Sequence, residues 1–157
     1  MNMRDNLQIE DQTLNATMRK FGAPDTCIRA FQHWSVLLRG SQVTLGSVIL
    51  AAHGPATAWS ALSPEAFTEL HRVVTELERV LKAAFAYERL NYLMLMMVDP
   101  NVHFHVIPRY SAPRTFEGHV FVDAGWPGPP DLSRPNDVGP GVNDRILAHL
   151  RACWSEA

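Results

Sequence analysis

Residues Asn101–Tyr110 read NVHFHVIPRY. Side chains of a strand alternate between faces, so Asn101, His103, His105 and Ile107 share one face while Val102, Phe104 and Val106 share the other. The apolar trio anchors the strand in a core. The two imidazoles then stand about 6–7 Å apart at their bases and point the same way. An unperturbed imidazole, with a pKa of about 6.5, is mostly neutral at pH 7. It can serve as base, nucleophile or metal ligand. Three uses fit the pair. The histidines are polar residues on a solvated sheet face. Or they are half of a zinc or iron site, its third ligand drawn from Asp99, Asp123, His119 or His53, none of which has diagnostic spacing. Or one attacks phosphorus while the other steadies a phosphate oxygen.

Working outward, Asn91–Val98 (NYLMLMMV) is nearly all apolar and reads as a strand buried on both faces, with Asp99-Pro100 as the turn into the histidine strand. Upstream, Ser63-Pro64-Glu65 supplies an N-cap, a first-turn proline and a first-turn acid. Phe67, Leu70, Val74, Leu77, Leu81 and Phe85 then recur at helical spacing, predicting an amphipathic helix to about Ala86. Before it, His33–Leu38 and Ser47–Ala52 are rich in β-formers and predict an antiparallel hairpin with a long loop, Arg39–Gly46. Asp11–Phe21 reads as a short helix capped by Asp11 and stopped by Gly22. Downstream, Pro108 closes the histidine strand. Seven of the eleven prolines lie between 108 and 140, yet Phe116, Phe121 and Trp126 are spread through that stretch, so it reads as an ordered cover rather than a tether. A short helix from Asn143, its cap, to Trp154 ends the chain, with Ile146, Leu147 and Leu150 inward. These elements predict an α+β fold: an antiparallel sheet of about five strands with one long helix packed on it.

Bulk properties narrow the function. The 157 residues suit one domain, and 46% hydrophobic with 19% charged residues is a globular composition. A net charge of −2 argues against a surface that holds nucleic acid. The longest apolar run, Leu93–Val98, is too short to span a membrane, and MNMRDNLQIEDQ lacks a signal-peptide core. Two cysteines, Cys27 and Cys153, form no CxxC pair, so a reducing cytoplasm is expected.

The run His103-Phe104-His105-Val106-Ile107-Pro108-Arg109 resembles the end of the signature of the histidine triad (HIT) family, nucleotide hydrolases and transferases written His-φ-His-φ-His-φ-φ. The hairpin segment Leu45-Gly46-Ser47-Val48-Ile49-Leu50 and the helix start Ala61-Leu62-Ser63-Pro64-Glu65 fall in the family's order, over about Phe31–Tyr110. The resemblance implies a HIT-like domain over 1–157, its core about 28–110, with residues 111–157 as covering segment and terminal helix. It implies that His103 attacks an α-phosphorus to form a nucleotidyl-histidine, that His105 contacts the phosphate, and that no metal or other cofactor is needed. The expected substrate is a dinucleoside polyphosphate or nucleoside phosphoramidate, and the expected assembly a homodimer. Asn101 stands where the family has its first histidine, and Ser47 where it has a histidine after the hairpin glycine. The connection Met96–Pro100 is shorter than the family's, and lacks the residues that would touch the leaving group. Four residues are candidates for holding the nucleotide. Arg39, at a position near the ribose, is either a phosphate contact or a solvated loop charge. Asn91 faces the pocket or starts a strand, Arg109 pairs with phosphate or with solvent, and Trp126 stacks on a base or pins the cover. Two other readings stay open: a nucleotide-binding module with little activity, and a metal enzyme using His103 and His105.

Overall fold

The computed structural model describes residues 13–156. Five strands form one antiparallel sheet: β1 (Cys27–Ala30), β2 (Trp34–Leu38), β3 (Val48–Ala52), β4 (Arg89–Leu93) and β5 (His103–Arg109), in the order β1-β2-β3-β5-β4. Three helices, α1 (Ala16–Lys20), α2 (Pro64–Phe85) and α3 (Pro140–Ser155), and a small hairpin, β6 (Arg114–Phe116) with β7 (His119–Phe121), complete it. The expected α+β fold with one long helix is what forms.

The predicted hairpin is β2 with β3, paired from Trp34↔Ala52 to Leu38↔Val48. Its long loop is a buried plug rather than a solvated link. Gln42 donates to the Arg39 and Ser47 carbonyls and accepts from the Gly46 N–H, while the Ser47 hydroxyl donates to the Thr44 carbonyl. Gly46 needs to be glycine, since its φ of +86° is left-handed and a Cβ there would lie 2.7 Å from the Phe85 ring. Ser47 is thus a turn residue.

The two sheet faces differ. One carries Trp34, Val36, Leu50, Val102 and Val106 against Val73, Leu77 and Leu81 of α2 and Ile146 and Leu150 of α3, forming the main core. The other carries Leu37, Ile49 and Ala51 against Met18 of α1, and it is the face of His103 and His105. Ser63 caps α2 by accepting from the Ala66 N–H, with Pro64 at the first helical position. Its buried stripe runs Ala66, Val73, Leu77, Val80, Leu81, Phe85, rotated from the expected one. α3 packs beside the same helix and covers the neighbouring side, with Trp154 donating to Glu76, so Val73 and Val80 are inside. Phe67 sits on the rim against Trp59.

Other expectations are corrected. Asn91–Val98 is not a doubly buried strand. β4 ends at Leu93 and is the sheet's edge, and Leu95, Met97 and Val98 are 47%, 87% and 81% exposed. A run of apolar residues signals extended chain without saying what covers it. Pro108 does not close β5, which runs on to Arg109 with Leu90 opposite Pro108. The Pro108 carbonyl points to Thr44, and its ring nitrogen points the same way, past the end of the β3 pairing, so no ladder bond is lost. β1 was not foreseen. The N-cap of α1 is Asn15; Asp11 lies outside the described residues. Gly139 and Pro140 open α3, while Asn143 sits in its first turn and donates to the Gly40 carbonyl. The covering stretch is stitched down by Asn136, which donates to the carbonyls of Gln42, Val43 and Val122.

Candidate active site

β5 lies between β3 and β4, with Ala51 opposite His103 and Ile49 opposite His105. The alternation therefore puts both histidines on the α1 face, as the sequence implies, with ring centroids 5.2 Å apart. His103 is fully buried and His105 nearly so. Phe21, at the end of α1, lies 5.8 Å from each ring.

The hydrogen bonds assign the tautomers. His103 Nδ1 is 2.7 Å from the Asn101 carbonyl oxygen, which can only accept, so Nδ1 carries the proton. Nε2 of His103 is buried with no partner. A lone pair is thus held ready on that atom. His105 Nδ1 accepts from Arg39 Nε at 3.4 Å, which places its proton on Nε2. Burial first, then the Arg39 guanidinium and His103, lowers the His105 pKa to about 4, so the ring is neutral at pH 7.

Asn101 is tied into a clasp. Its Oδ1 accepts from Thr17 Oγ1 at 3.0 Å and from the Thr17 N–H at 3.3 Å, while its own N–H donates to Thr17 Oγ1 at 3.1 Å. Nδ2 donates to the Pro55 carbonyl. Lys20 pairs with Asp99 at 2.6 Å, and Asn15 donates to the carbonyls of Ala52 and Gly54. These bonds pin α1 across the histidine face. Sequence reasoning missed Thr17 and Phe21. The spacing of Leu14, Met18 and Phe21 signalled a helix there, but nothing local said which face it would cover.

Arg39 thus joins His103, His105 and Asn101. The remaining three candidates form a second group on the same sheet face, where Asn91 opposes Ile107 and Arg89 opposes Arg109. Arg109 is 4% exposed, which corrects the surface alternative. Its guanidinium grips both Asp123 oxygens at 2.7 and 3.1 Å, the Gly128 carbonyl at 2.8 Å and Asn91 Oδ1 at 2.7 Å. Trp126 is half-buried in the turn over this group, and together they line a cavity of about 500 Å³.

The metal reading finds no third ligand in place. Asp123 is held by Arg109, Asp99 by Lys20, and His53 by Ser35 at 2.7 Å, while His119 is exposed on β7. Among the described residues no three His, Cys, Asp or Glu side chains are grouped to hold an ion.

A family model described as HIT domain matches residues 22–112, more than half of the chain. Solved structures of like shape include a histidine triad protein from Bradyrhizobium japonicum, with TM-score 0.70 and 20% identity over 90% of this chain and 96% of that one. Another is a histidine triad protein from Marinobacter aquaeolei VT8, with TM-score 0.70 and 19% identity over 92% and 98%. A third is the diadenosine triphosphate hydrolase of Plasmodium falciparum in complex with cyclomarin A, with TM-score 0.61 and 10% identity over 95% and 86%. At these identities the likeness is one of fold. Among curated proteins none matches the chain.

Two expectations follow from the geometry. Thr17→Val removes both hydroxyl bonds of the clasp and strands the buried Asn101 N–H, which costs about 1–3 kcal/mol. Chemical denaturation measures the loss, and faster amide exchange in α1 than in α2 locates it. The second concerns pH. Burial lowers the pKa of His105, and of His53 as well, so the unfolded chain takes up these protons first. Stability is full above about pH 6.5, the unfolded value, and falls as pH drops toward 4. Melting midpoints between pH 7 and 5 trace this fall, and His105→Gln flattens it, leaving the His53 share. Parallel curves for wild type and variant contradict the assignment.

Proposed function

The chain belongs to the histidine triad (HIT) family, and on that premise we propose that it is a nucleotide hydrolase or transferase working through a covalent nucleotidyl-histidine on His103. The observation that carries this reading is the bare Nε2 of His103 opposite an Nδ1–H fixed on the Asn101 carbonyl. The Nε2 lone pair attacks the α-phosphorus, the N–P bond forms, and the P–O bond to the leaving phosphate or the P–N bond to the leaving amine breaks. The departing atom takes the bond's electrons, and a leaving amine also takes a proton from water, which leaves as hydroxide. The His103 ring gains positive charge in this step, and the Asn101 carbonyl stabilises it through the Nδ1–H. Water then attacks the phosphorus and loses a proton to solvent, and the N–P bond returns its electrons to Nε2. A different acceptor in place of water makes the same chemistry a transfer. His105 presents Nε2–H to a phosphate oxygen, and Arg39, behind it, holds its tautomer and adds positive charge. Asn101 acts through its backbone and the clasp. No step requires a metal or cofactor.

His103 is closed off from solvent, with Phe21 5.8 Å from both imidazoles, so substrate must displace part of this cover to reach it. That closure, with an amide in place of the first histidine, favours one second reading: a nucleotide-binding module with little turnover. Residues 111–157 belong to the same domain as its cover. The partner is a nucleotide and, across the unpaired edge of β4 with its exposed Leu95, Met97 and Val98, a second copy of the chain. Cys27 and Cys153 are both free, which suits a reducing cytoplasm, and no helix among the described residues is long and apolar enough to cross a membrane.

Turnover of diadenosine triphosphate and adenosine phosphoramidate, read with intact-protein mass, tests the chemistry. His103→Ala lowers turnover at least about 1,000-fold, and the wild-type chain gains the mass of one nucleoside monophosphate early in the reaction. Full activity without His103 ends the covalent reading, and binding of adenosine monophosphate without turnover selects the module. Light scattering tests the assembly: the expected mass is that of two 17.6 kDa chains, and a monomer at micromolar concentration refutes it.

A further inference from the structure

We propose that Phe21 is a gate over the two histidines and that Lys20, beside it, is a binding residue for the phosphate of the incoming ligand. This rests on the function proposed above. His103 is fully enclosed and His105 nearly so, yet Phe21, whose ring lies 5.8 Å from each of theirs, is only half-buried. One side of the ring therefore covers the imidazoles while the rest meets solvent. The backbone behind it is held. The Thr26 hydroxyl donates to the Phe21 carbonyl at 2.7 Å, and Met18, one turn earlier, is fully buried against Leu37, Ile49 and Ala51. The movement that uncovers the histidines is thus a turn of the Phe21 side chain toward solvent, with α1 left in place. It costs the ring's partial burial, about 1–2 kcal/mol.

Lys20 stands at the rim of this cover. Its Nζ lies 2.6 Å from Asp99, and 53% of its side chain is exposed against 17% for Asp99. Asp99 is close enough to the histidines for its charge to act on the His105 ring, where it opposes part of the lowering caused by burial, Arg39 and His103. The ammonium paired with it therefore borders the same site. An ammonium has three N–H donors, and a bond to one carboxylate oxygen leaves the others for a second acceptor. Arg39 donates to His105 and to the Ser41 carbonyl and pairs with no carboxylate among the described residues. Two cations and one carboxylate thus flank the histidines, a net positive charge that favours an anion. Without Lys20 the Asp99 carboxylate would face that anion unscreened.

The two residues act in one event. A nucleoside without phosphate meets the cost of turning Phe21 outward with no charge to offset it. A ligand carrying phosphate gains the Lys20 ammonium and the His105 Nε2–H as donors, and bonds to an ionised group are stronger than neutral ones. The gate therefore opens for a phosphate-bearing ligand, and the Nε2 lone pair of His103 stays out of solvent until then.

Calorimetry of the full chain with adenosine monophosphate and with adenosine tests Lys20. Lys20→Met weakens the monophosphate about five- to tenfold and leaves adenosine within about twofold, and Lys20→Arg restores most of the loss. The loss persists in an Asp99→Asn background. If it vanishes there, Lys20 only screens Asp99 and the direct contact is overturned, as it is by equal losses for both ligands or by none. Diethyl pyrocarbonate tests the gate, with modification mapped to each histidine by mass spectrometry and the exposed His71 and His119 as references. In the wild type His103 and His105 react at least about fivefold more slowly than the references, as the opening cost implies. Phe21→Ala, checked for an unchanged melting midpoint, removes most of that difference. Reaction at the reference rate in the wild type refutes the gate, and so does protection that survives Phe21→Ala. Failure of the monophosphate to bind overturns the role of Lys20, and turnover by the wild-type chain then decides separately whether the chemistry at His103 stands.

Discussion

The backbone pairing of β5 on both sides governs this structure. β3 holds it from Val48↔Val106 to Ala51↔His103, and β4 holds it from Leu93↔His105 to Arg89↔Arg109. A slip of one residue on either side would send the histidines into the α2 core and bring Phe104 and Val106 to the other face. The apolar side of the strand makes such a slip costly, because Val102 and Val106 are completely enclosed by the main core. The same pairing fixes Asn91 and Arg109 on the histidines' side of the sheet.

Burial then sets the chemistry. A solvated His-x-His would present two imidazoles that titrate near neutrality. Here α1 and Phe21 cover them, and the desolvation holds His105 neutral. Each ring has one nitrogen bonded to a neighbour of fixed polarity, a carbonyl for His103 and a guanidinium for His105. That leaves an acceptor on one ring and a donor on the other. Two residues of the same type, two positions apart, are made unlike by what touches their far nitrogens.

Asn101 shows what an amide does at the base of the histidine strand. A histidine there would offer a ring able to carry a proton. The amide instead accepts twice from Thr17 and donates to Pro55, so its side chain joins the N-terminal helix and the turn after β3 to the base of β5. The backbone carbonyl still orients His103, which any residue at that position supplies. The side chain at this position is thus spent on holding α1, and the orientation of His103 is left to the backbone.

The amino-acid sequence by itself determined the facing of His103 and His105, the hairpin, the long helix and its Ser63 cap, because alternation, helical spacing and capping are local consequences of covalent geometry. It also carried the family's signature in the run to Arg109. What only the tertiary structure decided are relations between segments far apart in the chain. Asn101 meets Thr17 across 84 residues, Phe21 covers two rings that nothing near it in sequence mentions, and Arg39 reaches His105 across 66. Arg109 looks like a surface charge when read with Pro108 and Tyr110. It is buried because Asp123, brought back by the covering segment, neutralises it. In the apolar run after Leu93, which looks like core, Met94 and Met96 pack on the core while Leu95, Met97 and Val98 are exposed, because β4 is the sheet's edge and has no further strand beside it. Hydrophobicity and charge state what a side chain requires, and only the folded chain decides which distant group meets the requirement.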